Sequence, residues 1–252
     1  MSIFVITHKK FTPFTEELNY KIMLVGANNN KGEAFYLKDN FEEDNISDKN
    51  FSFCELTGAY SLYKHCTDDI IGLVHYRRYF MNSEGFPLSF NEAKSILEKY
   101  DVILPTKSKL TSYKIPVSVK KHFISLLGKD GKEAWEKCSD ILKRKYPEMI
   151  VSFENFERQN STYFYNMCVM NSRDFKAYHE WLFDILLQLD KEIDVTSYSK
   201  YNQRMFGFIS ERLLTFWVMY NNKKVKELPI VFTEPISFLN QVKQYVERKL
   251  DK

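Results

Sequence analysis

The sequence has few of the residues from which common cofactor sites are built. It contains only 8 glycines in 252 residues, and neither Gly-rich phosphate pattern, Gly-x-x-x-x-Gly-Lys-Ser/Thr or Gly-x-Gly-x-x-Gly, occurs. His-Glu-x-x-His, Gly-x-Ser-x-Gly and the protein-kinase signature are also missing. These absences argue against kinases, nucleotide-dependent dehydrogenases, metalloproteases and hydrolases with a serine nucleophile.

Disulfide, export and membrane-span signals are missing as well. The four cysteines are widely spaced, and no pair has zinc-ligand spacing, so we expect reduced thiols. No basic region followed by an apolar stretch opens the chain, which predicts no signal peptide. The longest uncharged apolar run, 213–220, is far shorter than the ~20 residues of a membrane span. Together these features predict a cytoplasmic protein.

The charge balance is nearly even. Lys and Arg total 36 against 33 Asp and Glu, and a net charge of +3 is too small to indicate nucleic-acid binding by itself. Hydrophobic residues make up 44%, which is ordinary for a globular protein with one α/β domain or two small ones. Aromatic residues are numerous (16 Tyr, 21 Phe and 3 Trp), and we expect most of them, including Trp135, Trp181 and Trp217, in the core.

Basic side chains follow three apolar runs that are typical of buried strands. Ile70–Val74 is followed by His75, Tyr76, Arg77 and Arg78, while 3–6 leads into Thr7, His8 and Lys9, and 102–104 leads towards Lys107. Ligands of open α/β sheets bind beyond the carboxyl ends of the strands, and the arginine fork suits phosphate. The pattern predicts an anion site. The alternative is an arginine pair that binds acids of a neighbouring helix.

Strand and helix patterns alternate over the first 110 residues. A second strand is predicted at 20–25, and a long loop over 31–50. The capping-box patterns Ser52-x-x-Glu55 and Ser89-x-x-Glu92 predict a helix over 52–65 and another from Ser89. This alternation indicates a mostly parallel, doubly wound sheet.

The second half of the chain has mainly helical patterns. Helices are predicted from Asp130 to about Lys145, over 173–191 and over 209–219, with a strand at 164–170 that Asn166 interrupts. The last segment, 238–252, is basic and amphipathic. It is predicted either to pack on the protein body or to contact an anionic membrane surface.

The stretch His75-Tyr76-Arg77-Arg78-Tyr79-Phe80 resembles the signature of a bacterial family of capsular and exopolysaccharide glycosyltransferases, formerly a domain of unknown function. Some members of that family are assigned as galactofuranosyltransferases. Four further stretches resemble the family in the same order, namely 5–10, 44–47, 165–167 and 207–214. The resemblance implies an α/β, GT-A-like fold and one glycosyltransferase domain over 1–252. Residues 1–110 would form its nucleotide-sugar half, and residues 111–252 its helix-rich acceptor half.

The resemblance also implies a reaction. A sugar, with galactofuranose as one candidate, would pass with inversion from a UDP-sugar donor to a glycan or lipid-linked glycan acceptor of a growing surface polysaccharide. Two other classes remain open. One is a noncatalytic polyanion or nucleic-acid binder, and the other is a nucleotidyl- or phosphotransferase, which would need a carboxylate pair for metal.

We expect no divalent metal and no other cofactor. Many GT-A enzymes hold a metal with Asp-x-Asp at the end of a central strand, where this chain has His75, Arg77 and Arg78. Asp68 and Asp69 are adjacent and precede the strand, so we expect a solvated turn at the opposite edge of the sheet. The two arginines would then neutralise the diphosphate.

Individual roles follow from the resemblance and from position. The predicted donor-binding residues are Thr7, His8, Lys9, His75, Tyr76, Arg77, Arg78 and Lys107. Glu211 lies near the start of a helix and resembles the position where GT-A enzymes often carry a catalytic carboxylate. It is the predicted general base. The alternative is a helix-terminal acid paired with Arg204 or Arg212. Asp194 is a weaker candidate that would otherwise cap a helix. The predicted acceptor- or sugar-binding residues are Asp44, Asn45, Asn166, Arg204 and Arg212, whereas His122 is expected to be structural.

Overall fold

A computed structural model describes residues 1–16, 19–112 and 114–234, so the predicted segment 238–252 lies outside the described residues. The strands in these ranges are β1 (Ser2–Thr7), β2 (Tyr20–Leu24), β3 (Leu37–Lys38), β4 (Ile70–His75), β5 (Arg78–Phe80), β6 (Val102–Pro105), β7 (Ser108–Lys109), β8 (Thr111–Ser112), β9 (Ile115–Pro116), β10 (Ser161–Thr162), β11 (Cys168–Asn171), β12 (Val225–Leu228) and β13 (Ile230–Phe232). The helices are α1 (Asn50–Phe53), α2 (Leu56–His65), α3 (Phe90–Leu97), α4 (Val119–Lys145), α5 (Ile150–Glu157), α6 (Ser172–Glu192) and α7 (Met205–Tyr220).

The main sheet has the strand order β12-β6-β11-β4-β1-β2-β3. Strand β1 pairs in parallel with β2 and β4, β2 pairs in parallel with β3, and β12 pairs in parallel with β6. Strand β11 is antiparallel to both β4 and β6, so those two strands run in the same direction. The carboxyl ends of β1, β4 and β6 and the beginning of β11 therefore lie at one edge, and the predicted mostly parallel α/β sheet is confirmed.

The end of β4 turns back on itself. His75 pairs with Arg78, so Tyr76 and Arg77 form a two-residue hairpin turn between β4 and β5. Strand β13 then pairs antiparallel to β5 and brings Phe232 opposite Arg78. The hairpin thus fixes the two predicted phosphate-binding arginines at the carboxyl edge of the sheet.

Apolar residues cover both faces of the sheet, because side chains alternate along each strand. In β1, Phe4 and Ile6 belong to the larger core with α2, α4, α6 and α7, while Ile3 and Val5 belong to a smaller core with α3 and β5. The three tryptophans are buried in the larger core, as predicted.

The helix predicted over 52–65 is divided in two. Cys54 has φ +53°, which ends α1, and α2 begins at Leu56. The predicted Ser52 capping box is wrong, because Ser52 lies inside α1 and its hydroxyl donates to the Lys49 carbonyl. The Ser89 box is confirmed: its hydroxyl accepts from the Glu92 N–H, and the Glu92 carboxylate accepts from the Ser89 N–H.

One predicted element boundary agrees with the structure and another differs from it. Helix α4 starts at Val119 with Ser118 as its N-cap, and Gly128 (φ +64°) divides it into two helical segments. The second segment begins just after Gly128, in agreement with the helix predicted from Asp130 to about Lys145. Strand β11 begins only at Cys168, because Tyr165 and Asn166 take left-handed backbone conformations. None of the helices in the described ranges combines the length and the apolarity needed to cross a bilayer.

Candidate functional site

Basic groups from two adjacent strand ends surround one aromatic ring. Tyr76, which is 7% exposed, follows β4, and its N–H donates to the Ile6 carbonyl of β1. The His8 ring meets it edge-on with centroids 5.5 Å apart, and the Lys9 ammonium and Arg77 guanidinium lie 5.1 Å and 5.0 Å from its centroid. Cation–π contacts of this kind orient a charge without neutralising it.

A carboxylate bridges two of these cations. Glu234 places one oxygen 3.5 Å from the Lys9 ammonium and the other 3.7 Å from an Arg77 guanidinium nitrogen. All three side chains are about half exposed, so the ion pairs add little stability. The alternative predicted for Arg77 was an ion pair with an acid on a neighbouring helix. Its observed partner, Glu234, instead follows strand β13. Lys9 and Arg77 are therefore spaced to share one anion.

His8 is held neutral by its surroundings. Burial lowers the pKa of its imidazole, and the charges of Lys9, Arg77 and Arg204 lower it further. An uncharged imidazole is able to donate one hydrogen bond and accept another. The end of β1 thus offers a neutral polar ring beside a group of cations.

Arg78 is fixed between two aromatic rings. Its guanidinium lies 4.6 Å from the Tyr165 ring centroid and 5.4 Å from that of Phe232. Burial and the neighbouring charge of Arg77 lower its pKa, whereas the carboxylates Glu55 and Glu211 raise it. Its Nε–H is buried without a hydrogen-bond partner among the described residues. The guanidinium is therefore oriented and keeps donor capacity.

The turn before β11 connects the strand end to helix α7. Tyr165 and Asn166 have φ +79° and +51°, an arrangement that costs roughly 1–2 kcal/mol per residue for L-amino acids. The Tyr165 carbonyl lies 2.6 Å from His75 Nε2, and its N–H donates to Glu211 Oε1 at 2.8 Å. The Asn166 amide donates to Glu55 Oε1 at 2.6 Å and to the Gly207 carbonyl at 3.1 Å. These bonds hold the turn in its strained conformation.

Glu211 is buried against a buried arginine. Its side chain is 15% exposed, and its Oε2 accepts from Arg212 Nη1 at 2.6 Å. Burial raises the pKa of the Glu211 carboxyl, against the opposing effects of Arg212 and the Tyr165 N–H. The Arg212 side chain is 1% exposed and lies over the Phe123 and Phe164 rings. This is the pairing with Arg212 that the sequence offered as the alternative to catalysis, and it does not exclude a base.

Other predicted site residues make contacts of their own, some beside this cluster and some away from it. Lys107 is at the carboxyl end of β6, where its N–H donates to Glu227 and its ammonium lies 5.2 Å from the Tyr163 ring centroid. Asp44 accepts from the Tyr60 hydroxyl and pairs with Lys64 on α2. Three further residues have local contacts: Thr7 bonds to the Lys9 backbone, Asn45 accepts from the Ser47 N–H, and Arg204 donates to the Cys54 sulfur.

The remaining candidates have structural contacts. Asp194 caps a short helical turn by accepting from the Thr196 N–H, which is the role offered as its alternative. His122 packs near Phe164, and burial together with the charge of Arg212 lowers its pKa to about 4. Asp68 lies before β4 and pairs with Lys21 at the start of β2, so it is at the amino edge of the sheet.

Sequence reasoning missed two carboxylates of the cluster. Glu55 was interpreted as a helix-capping residue, but its side chain reaches Asn166, which is 111 positions away. Glu234 sits in a short polar stretch with no distinguishing pattern and reaches Lys9, 225 positions away. The polar residue Asn166 inside an apolar run was the one sequence signal that pointed to this network.

A separate cavity of about 470 Å³ lies between α2 and the outer strands β2 and β3. Its lining includes Phe4, Met23 and Leu62, with Lys21 and Asp68. Those two charged residues mark the amino edge of the sheet, so this cavity is away from the strand-end cluster.

Comparisons with known proteins agree with this architecture. The family model described as a domain of unknown function, DUF4422, matches residues 2–223. The chain belongs to this family. The region shared with the DUF4422 family contains β1 to α7, and with them every cluster residue named above except Glu234.

A solved structure gives a closer view of the fold. The apo structure of WbbM, a bifunctional glycosyltransferase, matches with a TM-score of 0.81 and 26% sequence identity. The match covers 94% of this chain and 47% of the WbbM chain, so this DUF4422 member spans about half the length of that protein. No curated protein sequence matches the chain. The expected GT-A-like α/β fold is confirmed by this likeness.

Proposed function

We propose that this protein is a glycosyltransferase that transfers a sugar from a UDP-sugar donor to a growing capsular or other surface polysaccharide. Galactofuranose is the candidate sugar. One observation carries the proposal: Lys9, Arg77 and Arg78 converge at the carboxyl ends of adjacent parallel strands, beside the carboxylates Glu55 and Glu211. The likeness to a glycosyltransferase structure supports it.

The donor would bind across the ends of β1 and β4. The diphosphate would replace the Glu234 carboxylate between Lys9 and Arg77, and Arg78 would contact it from the Tyr165 side. Thr7, His8, His75 and Tyr76 would position the nucleotide, and Lys107 would extend the positive edge towards β6. Cations held by aromatic rings stabilise the charge that develops on the leaving diphosphate without reorganising, which is efficient electrostatic catalysis.

Glu211 is the proposed general base of an inverting reaction. A carboxyl whose pKa is raised by burial accepts a proton more readily from an acceptor hydroxyl. Its bonds to the Tyr165 N–H and Arg212 would orient it, so Arg212 would support the base from inside the protein. Arg204 would contact the carbohydrate at this edge, Asn166 would act through the Glu55 carboxylate that it binds, and Asp44 and Asn45 would approach from the loop beside α2.

Metal independence is part of the proposal. The end of β4 presents guanidinium groups where a metal would need oxygen ligands. Within the described ranges, no three His, Cys, Asp or Glu side chains come together in a way that could hold a metal ion.

The arrangement of charge favours an enzyme over a polyanion binder. A surface that binds a long polyanion needs a continuous band of basic groups, whereas these groups converge around Tyr76 and Tyr165 beside carboxylates. A nucleotidyl- or phosphotransferase would need two carboxylates that share a metal at the same edge, whereas Glu55 accepts from Asn166, and Glu211 accepts from Tyr165 and Arg212.

Titration calorimetry with UDP, GDP, CDP and TDP, each with and without manganese, tests the proposal. We expect UDP to bind, with less affinity for the other nucleotides and no requirement for manganese. Arg77→Ala should weaken UDP binding, and Arg158→Ala, at an exposed position after α5, is the matched control. The absence of binding to every nucleotide at millimolar concentration would contradict a nucleotide-sugar transferase.

A further inference from the structure

Glu55 lies between two helices, directly after a residue whose backbone separates them. Cys54, the residue before it, has φ +53° and ψ −128°, which ends α1 and allows α2 to begin at Leu56. Glu55 is the N-cap of α2, yet its side chain accepts no hydrogen bond from the first turn of that helix. Backbone strain such as that at Cys54 is often found at functional sites.

A rigid network fixes the orientation of this carboxylate. Its Oε1 accepts from the Asn166 amide at 2.6 Å. Asn166 is 6% exposed, also donates to the Gly207 carbonyl, and accepts from the Ser210 hydroxyl at 3.0 Å. A polar group held by buried partners is already oriented for a ligand, so binding does not have to order it.

Glu55 keeps acceptor capacity that the protein does not use. An ionised carboxylate has about four acceptor positions. Among the described residues, the Asn166 amide is its one hydrogen-bond donor, and no cation lies within ion-pair distance. The guanidinium groups of Arg78 and Arg204 lie over the rings of Tyr165 and Phe208 instead. A half-buried carboxylate in this state is suited to accept hydrogen bonds from hydroxyl groups.

Glu55 lies near the proposed diphosphate-binding and base residues. Glu55 lines a cavity of about 10 Å³ with His75 and Asn166, which is room for about one water molecule. Asn166, which binds Glu55, directly follows Tyr165, and Tyr165 contacts Glu211 through its N–H, His75 through its carbonyl and Arg78 through its ring, so Glu55 is near all three. A sugar attached to a diphosphate at Arg78 would lie in this region.

Resting on the proposed function, we propose that Glu55 binds hydroxyl groups of the donor sugar and thereby selects the sugar that is transferred. A site built to accept a hydrogen bond from a substrate hydroxyl discriminates strongly against a sugar that lacks it or points it elsewhere, because the buried acceptor is then left unpaired. Glu55 is a binding residue in this scheme, and proton transfer remains with Glu211.

The test compares Glu55→Gln with the wild type and with Glu98→Gln, a control at the exposed end of α3. The side-chain carbonyl of glutamine can still accept the hydrogen bond from the Asn166 amide, so the contact that orients residue 55 is kept. Titration with UDP and with UDP-galactofuranose, UDP-galactose and UDP-glucose measures the sugar contribution separately from the nucleotide. We expect an unchanged Kd for UDP, a 10- to 100-fold higher Kd for the preferred UDP-sugar, and loss of preference among the three.

Three results would overturn the inference. They are an equal fall in UDP and UDP-sugar affinity, an unchanged preference among the sugars, or an unchanged Kd for the preferred UDP-sugar. Should Glu55→Gln fail to fold in thermal unfolding, Glu55→Asp replaces it. It keeps the charge but moves it by one methylene, and the same shift in preference without loss of UDP binding is expected. Failure of the wild type to bind UDP would instead remove the proposed function.

Discussion

Adjacent residues in this protein have different surroundings, as Arg77 and Arg78 illustrate. Arg77 is at the tip of the hairpin, 45% exposed, and shares Glu234 with Lys9. Arg78 is the first residue of β5 and lies between Tyr165 and Phe232. The sequence places both arginines at the strand end, but hairpin geometry alone decides that they approach a ligand from different sides.

Replacing either arginine by alanine should reduce kcat/KM by about 10- to 100-fold. Each charge-assisted bond to a diphosphate is worth roughly 1.5–3 kcal/mol, and about 1.4 kcal/mol corresponds to a tenfold change. Arg78→Lys should recover little, because lysine lacks the planar fork that stacks between two rings. Steady-state transfer kinetics measure the effect, with Arg158→Ala as control. Full activity in both alanine variants would return the pair to a structural role.

His179 should make the protein less stable in mild acid. It is 2% exposed, and burial lowers its pKa to about 4, against about 6.5 in the unfolded chain. Between these values the unfolded chain binds a proton that the folded protein does not, so the free energy of unfolding falls as pH drops from about 6.5 towards 4.

Urea unfolding at pH 7.5 and pH 5 measures this effect. The contribution of His179 should be about 2 kcal/mol, by linkage from the two pKa values. His179→Gln should remove that part of the decline, and His65→Gln on α2 should retain it. An equal decline in wild type and His179→Gln would show that the burial cost of this histidine does not control acid stability.

At the scale of elements, helix α7 holds the turn before β11 through Glu211. The carboxylate receives the Tyr165 N–H on one oxygen and the Arg212 guanidinium on the other. The same residue is the proposed base, so its structural and catalytic contributions have to be separated. The two contributions can be separated because the Arg212 side chain is 1% exposed and can be replaced without removing a surface group of the proposed site.

Glu211→Gln should abolish transfer and lower the free energy of unfolding by about 3–5 kcal/mol, because it leaves the Arg212 charge buried without its partner. Adding Arg212→Met removes that charge and should restore most of the stability, since apolar replacements of buried pairs are often neutral. Chemical unfolding and transfer assays on both variants make the comparison. A double variant that recovers activity together with stability would assign Glu211 to anchoring alone.

Element predictions succeeded where the signal was local. The Ser89 capping box, the apolar runs of β1, β4 and β6, and the amphipathic helices α6 and α7 are each specified by neighbouring residues. They failed where a non-glycine backbone takes a left-handed conformation, at Cys54 and at Tyr165–Asn166. Hydrophobic periodicity continues across such positions, so it contains no sign of the break.

At the scale of the whole molecule, both halves of the chain build the same sheet. Strand β11, from the second half, lies between β4 and β6, and β12 lies on the far side of β6. Without β11, the pairing that joins β4 to β6 does not exist. The proposed nucleotide-sugar half, 1–110, therefore depends on the rest of the chain for its fold.

A fragment of residues 1–112 should accordingly fail to fold. It would lose the strands on both sides of β6 and the helices α4, α6 and α7, which form most of the larger core. Circular dichroism during heating and amide proton dispersion in NMR spectra distinguish the outcomes, with the full chain as control. Cooperative unfolding of the short fragment would indicate an independent domain.

Transfer activity should be independent of divalent metal. The fixed charges of Arg77 and Arg78 would replace the charge that a metal ion supplies in many GT-A enzymes. Assays in EDTA and in excess manganese should give the same rate within about twofold. Activity that is abolished by EDTA and recovered by manganese would assign the charge neutralisation to a metal.

The sequence by itself determined which segments form the central strands, that basic side chains follow their ends, and which family the chain resembles. Apolar patterning and the order of residues along one strand are local properties, so they can be read without coordinates. Only the tertiary structure decided that Glu55 meets Asn166, that Glu211 supports the Tyr165 turn, and that Glu234 shares Lys9 with Arg77. These contacts join residues 46 to 225 positions apart, and they exist because the strand order and the left-handed turns place them at one edge of the sheet.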